Sequence, residues 1–249
     1  MIPRRYEERT VVVTGAGSGI GRACAERFAA EGAHVVVAEL VEDAGQATVA
    51  AIETAGGRAT FVPTDVAVPE QLERVRATAL EVTGRLDVWH NNAFASVFKP
   101  LVEQTLEEFD ATMQVSLRAY WYGSKLAAEH MLAAGGGVIL HTASVQSYFG
   151  EPGFSAYQCA KGGILSLARS VGVDCAPTVR SVALAPGFIH TPAHDGIPPE
   201  TIERVVSSIP ARRGAQPEEV AALAAYAASE EAGYLTATGI VLDGGYLAV

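Results

Sequence analysis

Short β-branched runs alternate along the chain with longer stretches whose apolar residues recur at helical spacing. Residues 10–14 read Thr-Val-Val-Val-Thr, the pattern of a buried strand, and residues 20–31 repeat apolar positions every three or four residues behind a run of glycines, as a helix does. The same criteria predict strands at 34–38, 59–62, 86–90, 138–142, 180–185 and 240–242, and helices at 42–55, 69–83, 103–133 and 155–174. Glycines at 32, 56, 57 and 84 fall at the ends of predicted helices, where a left-handed residue closes the last turn. Strand–helix alternation in this order predicts an α/β fold, a doubly wound parallel sheet with helices on both faces. There is no internal repeat or low-complexity linker, so residues 1–249 are expected to form a single domain. Residues 188–214 break the rhythm: four prolines surround a short helical stretch at 200–208, and a loop this long in a compact domain predicts a lid.

Composition narrows the classes. Of 249 residues, 49% are hydrophobic and 18% charged, which is a folded rather than a disordered balance. The net charge is −10, with Lys and Arg scattered singly, so nucleic acid is not an expected partner. No apolar run approaches the length of about 20 residues that a membrane span needs. Residues 1–9 are polar and run straight into a strand, so no signal peptide is expected and the cytoplasm is the expected location. The three cysteines, Cys24, Cys159 and Cys175, show no metal-ligand spacing and are expected as small buried hydrophobes, their free thiols fitting a reducing compartment.

The first strand runs into Thr14-Gly15-Ala16-Gly17-Ser18-Gly19-Ile20-Gly21, a T-G-x-x-x-G-x-G turn. Glycines at 15, 19 and 21 permit a tight turn and close backbone approach, and the helix that opens across Ser18, Gly19 and Ile20 offers free N–H groups to a pyrophosphate. Glu39 follows the second strand, where a carboxylate accepts both ribose hydroxyls of NAD and repels the 2′-phosphate of NADP. No basic residue stands at Leu40 or inside the glycine turn, so NAD is expected over NADP. Asp65-Val66 follows the third strand, placed to accept from an adenine amino group.

Tyr157 and Lys161 stand four apart on one predicted helix and share a face. An ammonium beside a phenol is expected to lower its pKa from about 10 toward neutrality, which makes a usable acid/base for an alcohol oxygen. Ser144 lies directly after the strand at 138–142, where its hydroxyl can bond the same oxygen.

Taken in order, Thr14–Gly21, Asp65, Asn91-Asn92-Ala93, Ser144, Tyr157/Lys161, Pro186-Gly187 with Thr191, and Asp243-Gly244-Gly245 make the chain resemble the short-chain dehydrogenase/reductase family over nearly its whole length. The resemblance implies a Rossmann-like sheet of about seven strands, hydride transfer at nicotinamide C4, and a homotetramer or homodimer. It implies Tyr157 as acid/base, Ser144 as donor to the substrate oxygen, and Lys161 as the group that tunes Tyr157 and holds the nicotinamide ribose. Asn91 would lie along the cofactor, with Pro186, Gly187, Ile189 and Thr191 around its carboxamide and pyrophosphate. Three positions depart from the family pattern: Phe94 replaces a glycine, Ser116 an asparagine that anchors a proton-relay water, and Val182 another asparagine. Ser116 is expected to hold that water with less reach.

The expected substrate wall is Phe94, Gln146, Tyr148, Phe154 and Phe188, with Val97, Phe98, Phe149, His190 and His194 beside them. Its aromatic character favours a bulky, largely apolar secondary alcohol or ketone. An acyl-carrier-protein ketoreductase would want NADPH and a basic docking patch; a sugar or polyol dehydrogenase would use Gln146, Glu151 and the histidines; a nucleotide-sensing protein would keep the fold without turnover. No metal site is expected, since Pro192 breaks the helix that would align His190 with His194. His90 and His141 are expected as satisfied packing residues.

Overall fold

Thr10–Thr14 (β1) is buried along all five residues, the mark of a strand covered on both faces. The computed structural model describes residues 4–249, so the expectation for residues 1–9 lies partly outside the described residues. After β1 come α1 (Gly19–Ala30), β2 (His34–Glu39), α2 (Glu42–Thr54), β3 (Arg58–Pro63), α3 (Pro69–Thr83), β4 (Val88–Asn91), α4 (Leu106–Met113) and α5 (Ala119–Ala134). The chain continues with β5 (Gly137–Thr142), α6 (Ser155–Asp174), β6 (Val179–Pro186), α7 (Pro199–Ser208), α8 (Pro217–Ala228) and β7 (Thr238–Leu242).

The seven strands form one sheet in the order β3-β2-β1-β4-β5-β6-β7, with every neighbouring pair parallel. This is the expected Rossmann-like α/β fold. Strand side chains alternate between two cores. Val11, Val13, Val88, Val138 and Leu140 pack with Cys24, Phe28 and Ala29 of α1 and Val220 and Ala224 of α8. Val12, Trp89 and Ile139 pack on the other face with Leu72 and Val75 of α3 and Leu126 and Met131 of α5. Strand order reverses between β1 and β4, so helices leave on opposite sides and open a crevice at the carboxyl ends of these strands.

Three expectations change. The helix expected over 103–133 begins at Leu106, because the Thr105 hydroxyl accepts from the Glu108 N–H while the Glu108 carboxylate accepts from the Thr105 N–H. It then passes through a π-helical turn, Gln114–Arg118, between α4 and α5. α8 was not anticipated, although Gln216-Pro217 with Glu219 is a legible start signal, and it packs closely along α1. Cys159 is exposed while Cys24 and Cys175 are buried, because Ala156, Ala160 and Ile164 define the inner face of α6 and Cys159 falls outside it. Within 188–214, α7 buries none of its residues, and Ile189 pairs with Ala215 where the segment leaves and rejoins the body. No described helix is long and apolar enough to cross a membrane.

Candidate active site

The crevice is a cleft of about 370 Å³ floored by the glycine turn that follows β1. Gly15, Ser18, Gly19, Ile20, Gly21, Glu39, Asp65 and Val66 line it, with Pro186, Gly187, Ile189 and Thr191 closing the far side. Gly15 has φ +64°, and a Cβ there would meet the Ala93 Cα at 2.7 Å. A Cβ on Gly21 would stand 2.0 Å from the Gly15 carbonyl oxygen. Only bare backbone fits this turn. Ser18 makes no side-chain cap on α1 and the first turn carries no acid, which leaves N–H groups free for an anion. The cradle and its donors therefore fit the diphosphate of a dinucleotide.

Glu39 does more than end β2. One carboxylate oxygen accepts from the Gly17 N–H at 2.8 Å, and the other from the N–H groups of Leu40 and Val41 at 2.9 and 3.0 Å. The charge is thus held in place between the glycine turn and the start of α2. Asn91, expected along the cofactor, is instead turned away. Strand alternation puts it on the face of Trp89, where it accepts from the indole N–H at 2.8 Å and donates to the Ser124 hydroxyl at 3.1 Å. Asn92 takes the cleft side, donating to the carbonyls of Thr14 and Gly15. Asn92, Thr64 and Thr142 also line the cleft, without a role expected from the sequence, and each sits at or just past a strand end.

Ser144, Tyr157 and Lys161 open into the same cleft. Ser144 begins the 3-10 turn after β5, and its oxygen accepts from the Gln146 N–H at 3.2 Å, leaving its own proton free to donate. Lys161 is 2% exposed, and its Nζ donates to the Thr142 carbonyl at 2.6 Å. The rings of Phe94, Tyr120 and Tyr157 each lie with centroids 5.6 Å from that nitrogen. Burial pushes Lys161 down to about 7. Burial also pushes the Tyr157 phenol above its ordinary value, and the Ser144 hydrogen bond opposes this only in part. The lowering of Tyr157 expected from Lys161 is not found: burial raises the phenol, and the Ser144 hydrogen bond is what works against it.

Ser116 is fully buried but does not line the cleft. Its hydroxyl donates to the Ala95 carbonyl at 2.8 Å and accepts from the Ala95 N–H at 3.1 Å, so its proton is spent on the loop after β4 rather than on a relay water.

Of the expected substrate wall, Phe94 and His194 line the cleft. Phe98 and Phe154 gather on the Tyr157 ring, with centroids 5.8 and 6.2 Å away. Phe154 stands behind that ring rather than in the cleft. Phe188 is also outside it, wedged between His194 and His190 at 4.7 and 5.2 Å. Tyr148 turns toward β7, where a Cβ on Gly239 would stand 2.9 Å from its hydroxyl, and Phe149 packs on Tyr246. Gln146 is held aside by its donation to Glu151 at 2.7 Å and a bond from Gln158 at 3.3 Å. Among the described residues no group of three or more His, Cys, Asp or Glu is placed to hold a metal.

Beneath the site lie two fully buried histidines. Nε2 of His141 donates to Ser181 at 3.1 Å while its Nδ1 faces Asn91 at 3.4 Å. Nε2 of His90 donates to Thr142 at 2.9 Å, but its Nδ1 has no partner among the described residues, so His90 is only half satisfied. Burial pushes both down to about 3. A base whose folded pKa lies below its unfolded value of about 6.5 keeps its full contribution above that pH and loses it as pH falls toward 3, because the unfolded chain takes up protons that the fold refuses. Each such group contributes up to about 1.4 kcal/mol per pH unit in that window. Urea midpoints should therefore fall between pH 6.5 and 5, and His141→Gln should flatten that slope. An unchanged slope would show that other groups set it.

A family model described as enoyl-(acyl carrier protein) reductase matches residues 15–247. The cis-4-hydroxycyclohexanecarboxylate dehydrogenase of Sinomonas cyclohexanicum is 36% identical over 246 residues, covering 98% of either chain. A 7α-hydroxysteroid dehydrogenase solved in complex with NADH and 7-oxo glycochenodeoxycholic acid superposes with a TM-score of 0.94 at 29% identity, covering 97% of this chain and 95% of its own. A putative NAD(P) dependent gluconate 5-dehydrogenase from Beutenbergia cavernae, with NADP bound at low occupancy, gives a TM-score of 0.94 at 35% identity, covering 99% of this chain and all of its own.

Proposed function

This chain belongs to the short-chain dehydrogenase/reductase family, and from that premise we propose that it interconverts a bulky, largely apolar secondary alcohol and its ketone with NAD as the hydride partner. The observation that carries the reading is the convergence of Ser144, Tyr157 and Lys161 on the cleft floored by the glycine turn. Gly15, Ser18, Gly19, Ile20 and Gly21 would hold the diphosphate, Glu39 the adenine ribose, Asp65 and Val66 the adenine, and Pro186, Gly187, Ile189 and Thr191 the nicotinamide half. When bound, the nicotinamide supplies or accepts the hydride at C4.

The protein's own residues manage the proton. Tyr157 gives its hydroxyl proton to the ketone oxygen in reduction and takes one from the alcohol in oxidation. Its phenol, pushed up by burial, is neutral at pH 7 and ready to donate, so reduction suits neutral pH while oxidation gains as pH rises. Ser144, oriented by the Gln146 N–H, donates to the same oxygen and stabilises charge developing there. Lys161 holds the ribose and, when charged, favours the phenolate.

Phe94, which lines the cleft edge-on to Tyr157, supports an apolar substrate. We read the chain as one domain with 188–214 as its lid, and the exposed Trp121, Leu132 and Val173 on α5 and α6 support a homotetramer or homodimer. A second reading, polyol or sugar-acid oxidation, is favoured by Gln146, Glu151 and Gln158, a hydrogen-bonded polar cluster linked to Ser144 through the Gln146 N–H. A panel of cyclic and steroid alcohols against polyols and sugar acids, each with NAD and NADP, separates the two. Turnover of the apolar group with NAD is expected. Turnover confined to polyols moves the assignment to the polar cluster, and turnover of neither group removes the proposal.

A further inference from the structure

Two unusual residues of the site meet at Ala95. Ser116 sits in the π-helical turn between α4 and α5, a local irregularity of the kind that re-aims side chains at functional sites. From there its hydroxyl bonds both the N–H and the carbonyl of Ala95, fixing the peptide planes on either side of that residue. The same loop is stitched further on, where Gln104 donates to the Val97 carbonyl at 3.2 Å and Lys99 pairs with Glu108. Phe94, directly before Ala95, therefore has little backbone freedom, and its half-exposed ring lies over the Lys161 nitrogen and edge-on to Tyr157 at 6.3 Å.

The surroundings of Lys161 leave few other ways to exclude water. Thr142 of β5 supplies a carbonyl, Tyr120 of α5 and Tyr157 of α6 supply rings, and the neutral His90 of β4 lies close enough to feel its charge. No carboxylate pairs with Lys161 among the described residues, since burial alone accounts for its state. The remaining side faces the cleft, where the Phe94 ring lies with its centroid 5.6 Å from Nζ.

We propose that Ser116 is a positioning residue that, through Ala95, holds the Phe94 ring over the Lys161 ammonium, so that an aromatic face rather than water covers the side of Lys161 turned to the cleft. A ring face attracts the cation but accepts no proton from it. Two effects then oppose each other. The ring's attraction raises the ammonium pKa by under about one unit, whereas the desolvation it enforces lowers it by up to several. Desolvation wins, which agrees with a Lys161 held at about 7. Loss of the ring admits water and lets Lys161 rise. The inference takes Tyr157 and Lys161 as the reacting pair, but its test reads the cofactor-free protein and is independent of turnover.

The chain has three lysines, Lys99, Lys125 and Lys161, which makes the measurement direct. The protein is grown with ¹³Cε-labelled lysine, and the three methylene signals are assigned with Lys99→Arg and Lys125→Arg. In the wild type, the Lys161 signal should titrate well below the other two and its Hε protons should be shifted upfield by the rings. Phe94→Ala and Ser116→Ala should each raise its midpoint by about one unit or more and relax the upfield shift. Ser116→Thr keeps the hydroxyl and should restore both. Unchanged titration and Hε shift in Phe94→Ala would overturn the role of the ring. A shift in Ser116→Thr equal to that in Ser116→Ala would overturn the role of the hydroxyl bonds. Should Phe94→Ala fail to fold, shown by Lys161 collapsing onto random-coil values, Phe94→Leu is read instead: it should lose the upfield component while keeping a low midpoint, and an unchanged Hε shift would count against the proposal.

Discussion

Tyr157→Phe should lower turnover of the substrate found in the alcohol panel by about 10²–10⁴-fold, the usual worth of a positioned acid/base, while NADH affinity stays within a few-fold. The separation follows from what the substitution removes. The ring is held by its packing against Phe94, Phe98 and Phe154, with centroids 5.8–6.3 Å away, and Phe preserves all three contacts. Only the hydroxyl is lost, and with it the proton that the proposed mechanism moves to or from the substrate oxygen. Ser144 keeps its hydrogen bond from Gln146 and still donates to that oxygen, so a residual rate from orientation alone is expected. Single-turnover reduction measured beside an NADH titration separates the two quantities. A loss under about tenfold would mean that another group carries the proton, and a parallel loss of NADH affinity would mean that the hydroxyl serves binding instead.

The second large effect is at Glu39. Wild-type protein should bind NADH more tightly than NADPH by about 10²-fold or more, and Glu39→Gln should remove most of that difference. The magnitude comes from setting a 2′-phosphate against a fixed like charge, which costs several kcal/mol in a tight site and about 3 kcal/mol at a half-exposed one. Fixing matters because a mobile carboxylate would swing away. Here the N–H groups of Gly17, Leu40 and Val41 hold it. Glutamine keeps one acceptor oxygen but places an NH₂ against an N–H donor, so some loosening of the glycine turn should accompany the change in preference. Fluorescence titration of both cofactors with a melting curve for each variant separates charge from loosening. Equal or tighter NADPH binding by the wild type would overturn the assignment of NAD and favour the ketoreductase reading.

Much of this was legible in the chain because local chemistry and fold agree. Thr10–Thr14 is buried throughout since both faces of β1 are covered, and the alternation of Val11 and Val13 with Val12 sends side chains into two cores. Gly15, Gly19 and Gly21 mark a turn that only backbone fits, and Tyr157 with Lys161 share one helix face by spacing alone. Local sequence was enough for the parallel α/β order, the glycine turn, and the placing of Tyr157 and Lys161 on one helix face, because each depends on short-range geometry. Tertiary structure decided the rest. Strand pleating turned Asn91 from the cleft and brought Asn92 in, a choice between adjacent residues that a motif does not encode. Packing sent Tyr148 toward β7 and wedged Phe188 between two histidines, since an aromatic ring serves a core as readily as a ligand. Burial set the protonation of Lys161 and Tyr157, and the π-helical turn sent Ser116 to Ala95, because desolvation and hydrogen-bond partners depend on neighbours contributed by distant parts of the chain.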